Sequence, residues 1–163
     1  MSLNWVMRID DVHGLAPFVL LPNETLFFKL HANIRVDLAP IGQENPETLS
    51  INKGAIYLTS QRLVILDSTS NNKHLDTSEV DNFALFYEDI RYYKLDMPWF
   101  GSNKYKFLFK ISDPNGGLNY MYQWSLVIHF IEGGAIEFNE KFHTIKTRSE
   151  YSQEDDLPAY SAT

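Results

Sequence analysis

The sequence predicts a mostly β fold: a bent antiparallel sheet of about seven strands, closed at one end by a single C-terminal amphipathic helix. Three observations lead there. Aromatic residues make up 14% of the chain, with nine Tyr, eleven Phe and three Trp, and such residues suit a pleated, half-buried surface. Apolar and polar residues alternate in much of the chain, as in Ile34, Val36 and Leu38 around Arg35 and Asp37, the period of a sheet with one wet face. The period then changes. Phe138, Phe142 and Ile145 stand at i, i+4 and i+7, one face of a helix.

The elements follow in order. Leu3 to Ile9 is apolar and aromatic, and Trp5 is expected to anchor it to the core. Pro17 and Pro22 frame an extended run, and Pro22-Asn23-Glu24 reads as a turn. Thr25 to Leu30 and Asn33 to Leu38 are the first two strands, and residues 39–52 form a loop. Gly54–Thr59 and Arg62–Asp67 flank Ser60-Gln61 as a tight hairpin. The polar stretch 68–79 is a mobile loop. Phe83–Tyr87, Ile90–Leu95 and Tyr105–Ile111 are strands, and Tyr92, Tyr93 and Tyr120 are read as sheet residues rather than a recognition surface. Asp113-Pro114-Asn115-Gly116-Gly117 is a turn. Gln123–Ile131 and Ala135–Phe138 flank Gly133-Gly134, where both glycines can take positive φ in a two-residue hairpin. Asn139 is an N-cap candidate, and the helix is expected from about Glu140 to about Ser149. Residues 1–150 are read as one domain and 151–163 as a disordered acidic tail. Hairpin-joined strands with one helix over an open end describe the pleckstrin-homology-like architecture.

Composition narrows the function classes. The chain has 163 residues and no cysteine, which removes disulfides, thiolate nucleophiles and thiolate zinc sites. The net charge is −7, three of those charges coming from Glu154, Asp155 and Asp156. So acidic a chain is poorly suited to tracking a nucleic-acid backbone or to unspecific attraction to anionic membrane. No segment approaches the ~20 apolar residues of a membrane-spanning helix, and the start lacks the order of a signal peptide. A soluble monomer of the cytoplasm and/or nucleus is expected. The sequence contains no His-Glu-x-x-His, Gly-x-Ser-x-Gly, P-loop or dinucleotide fingerprint. The five histidines, His13, His31, His74, His129 and His143, are scattered without metal-ligand spacing. The reading is of a protein that is not an enzyme and carries no cofactor or metal.

Lys53-Gly54-Ala55-Ile56-Tyr57-Leu58-Thr59-Ser60-Gln61-Arg62-Leu63-Val64-Ile65-Leu66 resembles the signature of the GRAM domain, a pleckstrin-homology-like module. Four other pieces resemble the family of WW-domain-binding protein 2: Leu3-Asn4-Trp5-Val6, Leu20-Leu21-Pro22-Asn23-Glu24, Pro98-Trp99-Phe100-Gly101-Ser102-Asn103 and Gly133-Gly134-Ala135-Ile136-Glu137-Phe138. They occur in the family's order over roughly residues 3–142. The resemblance implies a GRAM domain followed by a tail that binds WW domains of Nedd4-type ubiquitin ligases or transcriptional co-activators. This chain departs from the pattern in carrying a short tail with one motif, Leu157-Pro158-Ala159-Tyr160, Leu standing for the first Pro. The multivalency of longer family tails is missing.

In that motif Pro158 presets an extended backbone and would pack in an aromatic groove, Tyr160 would fill the next pocket, and Leu157 adds apolar bulk beside Ala159. The bland reading is a chance pattern in a loose chain end. A phosphoinositide is the alternative ligand that the resemblance implies, with Lys53, Arg62 and Arg35 as candidate cations. Against it, His31-Ala32-Asn33 lacks the dense Lys and Arg of a phosphate clamp. Lys53 and Arg62 are expected instead to border a hairpin and cover apolar surface with their stems. Trp99 and Phe100, in a loop with Pro98 and Gly101, are expected to fold back and cap the core rather than to meet a membrane or partner.

Overall fold

The structure is a computed structural model, described over residues 2–9, 16–69 and 80–154. Strand β1 is Ser2–Leu3, β2 Leu26–Pro40, β3 Leu49–Thr59, β4 Arg62–Asp67 and β5 Asn82–Phe86. A 3₁₀ turn over Tyr87–Asp89 leads into β6, Ile90–Asp96, followed by β7, Asn103–Lys110, and β8, Gln123–Phe130. Among the described residues one α-helix, α1, spans Ala135–Glu154. The sheet order is β1-β5-β4-β3-β2-β8-β7-β6, every pair antiparallel. Seven long strands and a C-terminal helix make the chain mostly β, as the alternation predicts.

Strand β2 joins the two halves of the sheet. Its first part, Leu26–Leu30, pairs only with β3, while Ile34–Leu38 pairs with both β3 and β8. The break expected between Leu30 and Asn33, separating two strands, is instead a register shift inside one strand. A bulge bends and twists the strand without ending it, which lets β2 serve both halves. The β3–β4 hairpin forms as predicted, with Leu58 opposite Leu63. Strand β3 begins at Leu49, so the loop expected over 39–52 shrinks to 41–48. Tyr92 and Tyr93 lie in β6. Tyr120 does not lie in a strand, because Asn119 turns the chain there, accepting from Met121 N–H through its side chain and from the Trp124 indole through its carbonyl.

The concave face holds the main core, and α1 closes it. Phe138 and Phe142 are fully buried and Ile145 nearly so, the face that the i, i+4, i+7 spacing predicts. Their rings meet Tyr105 edge-on at 5.0 and 5.9 Å, and Tyr93 meets Phe142 at 5.0 Å. Each buried Phe contributes about 1.5–3 kcal/mol from burial. The helix starts earlier than expected. Gly133 and Gly134 do take positive φ, +94° and +92°, but they turn a strand into a helix rather than into another strand. Phe138 N–H already donates to Gly134 O at 2.9 Å. Asn139 therefore lies inside the helix, not at its cap, and its Oδ1 accepts from the Tyr105 hydroxyl at 3.1 Å. At the other end the helix runs through residues 151–154, part of the segment expected to be disordered.

A smaller core lies on the opposite face of β3, β4 and β5. There Val6, Ala16 and Phe18 cover Tyr57, Val64 and Ala84. Arg8 and Phe18 form an antiparallel bridge. Alternation about that bridge turns Val6 inward and Trp5, Met7 and Val19 outward, so Trp5 is 63% exposed and does not anchor the segment. Among the described residues no helix is long and apolar enough to cross a membrane.

Candidate functional site

The WW-ligand candidate, Leu157, Pro158, Ala159 and Tyr160, lies outside the described residues. So do His13, His74 and most of the 68–79 loop.

The three cations considered for a phosphate pocket are held apart. Arg62 is 5% exposed. Its Nε donates to Glu24 Oε1 at 2.8 Å and its Nη2 to Glu24 Oε2 at 3.0 Å and to Val19 O at 3.1 Å. Its guanidinium lies over the Phe18 ring, 5.7 Å from the centroid. Glu24 also accepts from Leu21 N–H and the Thr59 hydroxyl, each at 2.6 Å. Burial opposes ionisation of Glu24, but these hydrogen bonds and the Arg62 charge outweigh it and hold the carboxyl below its ordinary range. Arg35 is exposed and donates to Asp37 Oδ1 at 3.1 Å. Asp37 also accepts from Ser50 Oγ at 2.7 Å and faces His129 at 3.1 Å. Burial works against the Asp37 charge as well, and the Ser50 and Arg35 contacts overcome it, leaving the pKa lowered.

Lys53 sits at the far end of the β3–β4 hairpin from Arg62, next to the Gly54–Asp67 pair, whereas Arg62 follows the turn. It lines a cleft of about 390 Å³ with Glu47, Ser50, Asn52, Asp67 and Thr69, where two carboxylates face the one lysine. Five residues of extended strand separate the two ends by roughly 16 Å.

Trp99 and Phe100 do not fold back. They are 98% and 93% exposed, at the tip of the β6–β7 hairpin, and an added Cβ on neighbouring Gly101 would meet nothing within 4 Å. The core face beneath the hairpin is already filled by Tyr105, Phe107 and the helix aromatics, so the tip has no vacancy to cap. Met97, at its base, is 60% exposed.

A basic strip runs behind this tip, outside the motifs of the sequence. Tyr93 and Leu95 pack on the main core, so Tyr92, Lys94 and Asp96 point to the other face. On β7, Tyr105, Phe107 and Phe109 are inward and Lys104, Lys106 and Lys110 outward. Lys94 stands opposite Lys106, and Asp96 opposite Lys104. Lys104 neighbours His129, which neighbours Arg35. Among the described residues Lys94, Lys104 and Lys106 have no ion-pair partner. The signal was present in Lys104-Tyr-Lys106-Phe107, a lysine at alternate positions of a strand whose other face is core. Among the described residues no cluster of His, Asp and Glu is arranged to hold a metal ion.

No protein-family model matches the chain, and no curated protein matches it. Among solved structures it is similar to the Vps36 N-terminal PH domain, with a TM-score of 0.58 and 16% identity over 94% of this chain and 96% of that one. A chain of the 8S snRNP assembly intermediate is similar at a TM-score of 0.49 and 12% identity, over 89% and 94%. The first likeness shows a pleckstrin-homology-like fold.

Proposed function

We propose that the chain is a non-enzymatic adaptor of the cytoplasm or nucleus, whose pleckstrin-homology-like domain makes protein or lipid contacts and whose Leu157-Pro158-Ala159-Tyr160 binds WW domains. The observation that carries the second half is position. The motif begins three residues beyond Glu154, to which α1 is described, so it follows the folded domain in the sequence, and WW ligands are read as extended peptides. The resemblance to the WW-domain-binding protein 2 family supports the same reading. The fold supports the first half only as a class, since one fold hosts many functions. A phosphoinositide pocket built from Lys53, Arg62 and Arg35 has less support. Arg62 is spent on Glu24 and Arg35 on Asp37.

Capture of the full chain on isolated WW domains of a Nedd4-type ligase tests the proposal. Binding is expected for the intact chain, with loss on Tyr160→Ala and on ending the chain at Glu154. Equal capture of all three proteins overturns it. Phosphorylation of Tyr160 is expected to oppose docking, because a charged phosphate does not enter an apolar pocket.

A further inference from the structure

We propose that the β6–β7 hairpin docks on an anionic membrane surface, with Trp99 and Phe100 entering the headgroup boundary and Lys94, Lys104 and Lys106 facing the anionic lipids. This goes beyond the WW reading and does not depend on it.

Exposure comes first. Two adjacent large aromatics at 98% and 93% exposure leave apolar surface in water with no gain to the fold. Trp is also the residue best suited to a membrane interface, where its ring is apolar and its N–H stays wet. The tip is convex. A bilayer accepts an apolar knob without a matching pocket, which a protein partner would have to supply.

Charge comes second. The chain as a whole is acidic, at −7, yet the strip behind the tip is basic. Lys94 and Lys106 are direct cross-strand neighbours, an arrangement that costs the sheet stability and that an anionic partner relieves. Among the described residues of β2, β6, β7 and β8, the acids beside the strip are Asp96, opposite Lys104, and Asp37, already engaged by Arg35 and Ser50. Glu132, in the β8–α1 turn, accepts weakly from Asn33 N–H at 3.4 Å.

Geometry joins the two. Lys94 and Lys106 lie two residues behind the Asp96–Lys104 pair, or about 7 Å along the strands. An aromatic tip seated about 5–10 Å into the boundary brings the lysine strip behind it towards the anionic headgroups. Asn103 stands opposite Phe130, which puts the β8–α1 turn, with exposed Ile131, beside the base of the hairpin as further apolar margin.

The test uses the full chain carrying Trp5→Phe. Trp124 is buried and its indole donates to Asn119 O, so a change in emission reports on Trp99. The probes are phosphatidylcholine vesicles with and without phosphatidylserine. Expected are co-sedimentation with the serine-containing vesicles, a blue-shifted emission and quenching by brominated lipid. Trp99→Ala with Phe100→Ala is expected to weaken binding at least about tenfold, and Lys94→Glu with Lys106→Glu by a similar factor. Added salt should weaken binding of the unsubstituted hairpin, a readout that needs no variant to fold. Absence of binding, binding unchanged by the aromatic pair, or binding with no change in Trp99 emission each overturns the proposal. So does capture of a protein partner through Trp99 with no partition into vesicles.

Discussion

Arg62 leaves the β3–β4 turn and points inward, against the ordinary habit of a charged residue beside a hairpin. It can do so because Glu24 and Val19 together satisfy its Nε and Nη2 and Phe18 receives its flat face. The partner stands 38 positions earlier in the chain, so no local pattern announces the pair. Removing one member leaves the other charge buried and unmatched. Arg62→Ala is expected to destabilise the domain by about 3–5 kcal/mol, and Arg62→Met with Glu24→Leu to recover much of that loss, measured as urea midpoints. The pair also carries a pH dependence. Burial works against the Glu24 charge, but the Arg62, Leu21 and Thr59 contacts keep its folded pKa below the unfolded value. Its stabilisation is therefore complete above the unfolded carboxylate pKa of about 4.3 and is lost as pH falls through the lower folded value. Glu24→Gln should be less stable than the parent near neutrality, and the gap between them should close on acidification below about pH 4. A gap that stays constant, or widens in acid, contradicts the assignment.

At the scale of elements, the start of α1 shows what one residue of backbone decides. Gly133 and Gly134 both have positive φ, but an added Cβ on Gly133 meets open space, while one on Gly134 would lie 2.9 Å from Leu30 Cδ2. Gly133→Ala is expected to cost about 1 kcal/mol from the left-handed backbone alone. Gly134→Ala should cost more, about 2–3 kcal/mol, because Leu30 has to move as well; thermal melts of the two variants separate the effects. The elements that were legible are those whose pattern is long or doubly marked. Leu63, Val64, Ile65 and Leu66 after a two-residue turn could only be a strand, and Phe138, Phe142 and Ile145 fix a helical face. The elements misread are short or locally ambiguous. Ala135–Phe138 is a short segment with three apolar residues in four after two glycines, a pattern strand and helix share. His31–Asn33 looks like a turn because a bulge uses the same small and polar residues to bend a continuing strand. Trp5, expected to anchor the first segment, stays outside because the bridge between Arg8 and Phe18 sets which neighbours face inward. Trp99 carries no sequence mark to separate a capping aromatic from an exposed one, since the difference lies in whether the core beneath is already full.

For the whole molecule, the decisive feature is that its two candidate contacts use different parts of the chain. The lysine strip and aromatic tip belong to β6, β7 and their connection, held to the rest of the sheet through β8. The WW-ligand motif follows α1, and α1 packs its Phe138–Phe142 face on the inner side of the same strands, away from the lysines. Sequence made the fold visible because alternation and the final helix are global patterns. It left the membrane-facing site unread because that site is a property of which strands become neighbours. With no shared residues, the two contacts should separate cleanly. Trp99→Ala with Phe100→Ala is expected to abolish vesicle binding while WW-domain capture stays within about twofold of the parent, and ending the chain at Glu154 should do the reverse. Each single change should leave the melting temperature within about 2–4 °C, since neither removes buried area from the described core. Loss of both activities in one variant with an intact melt would mean that tail and hairpin form one composite surface. The additive outcome instead describes an adaptor that can hold a membrane and a WW protein at once.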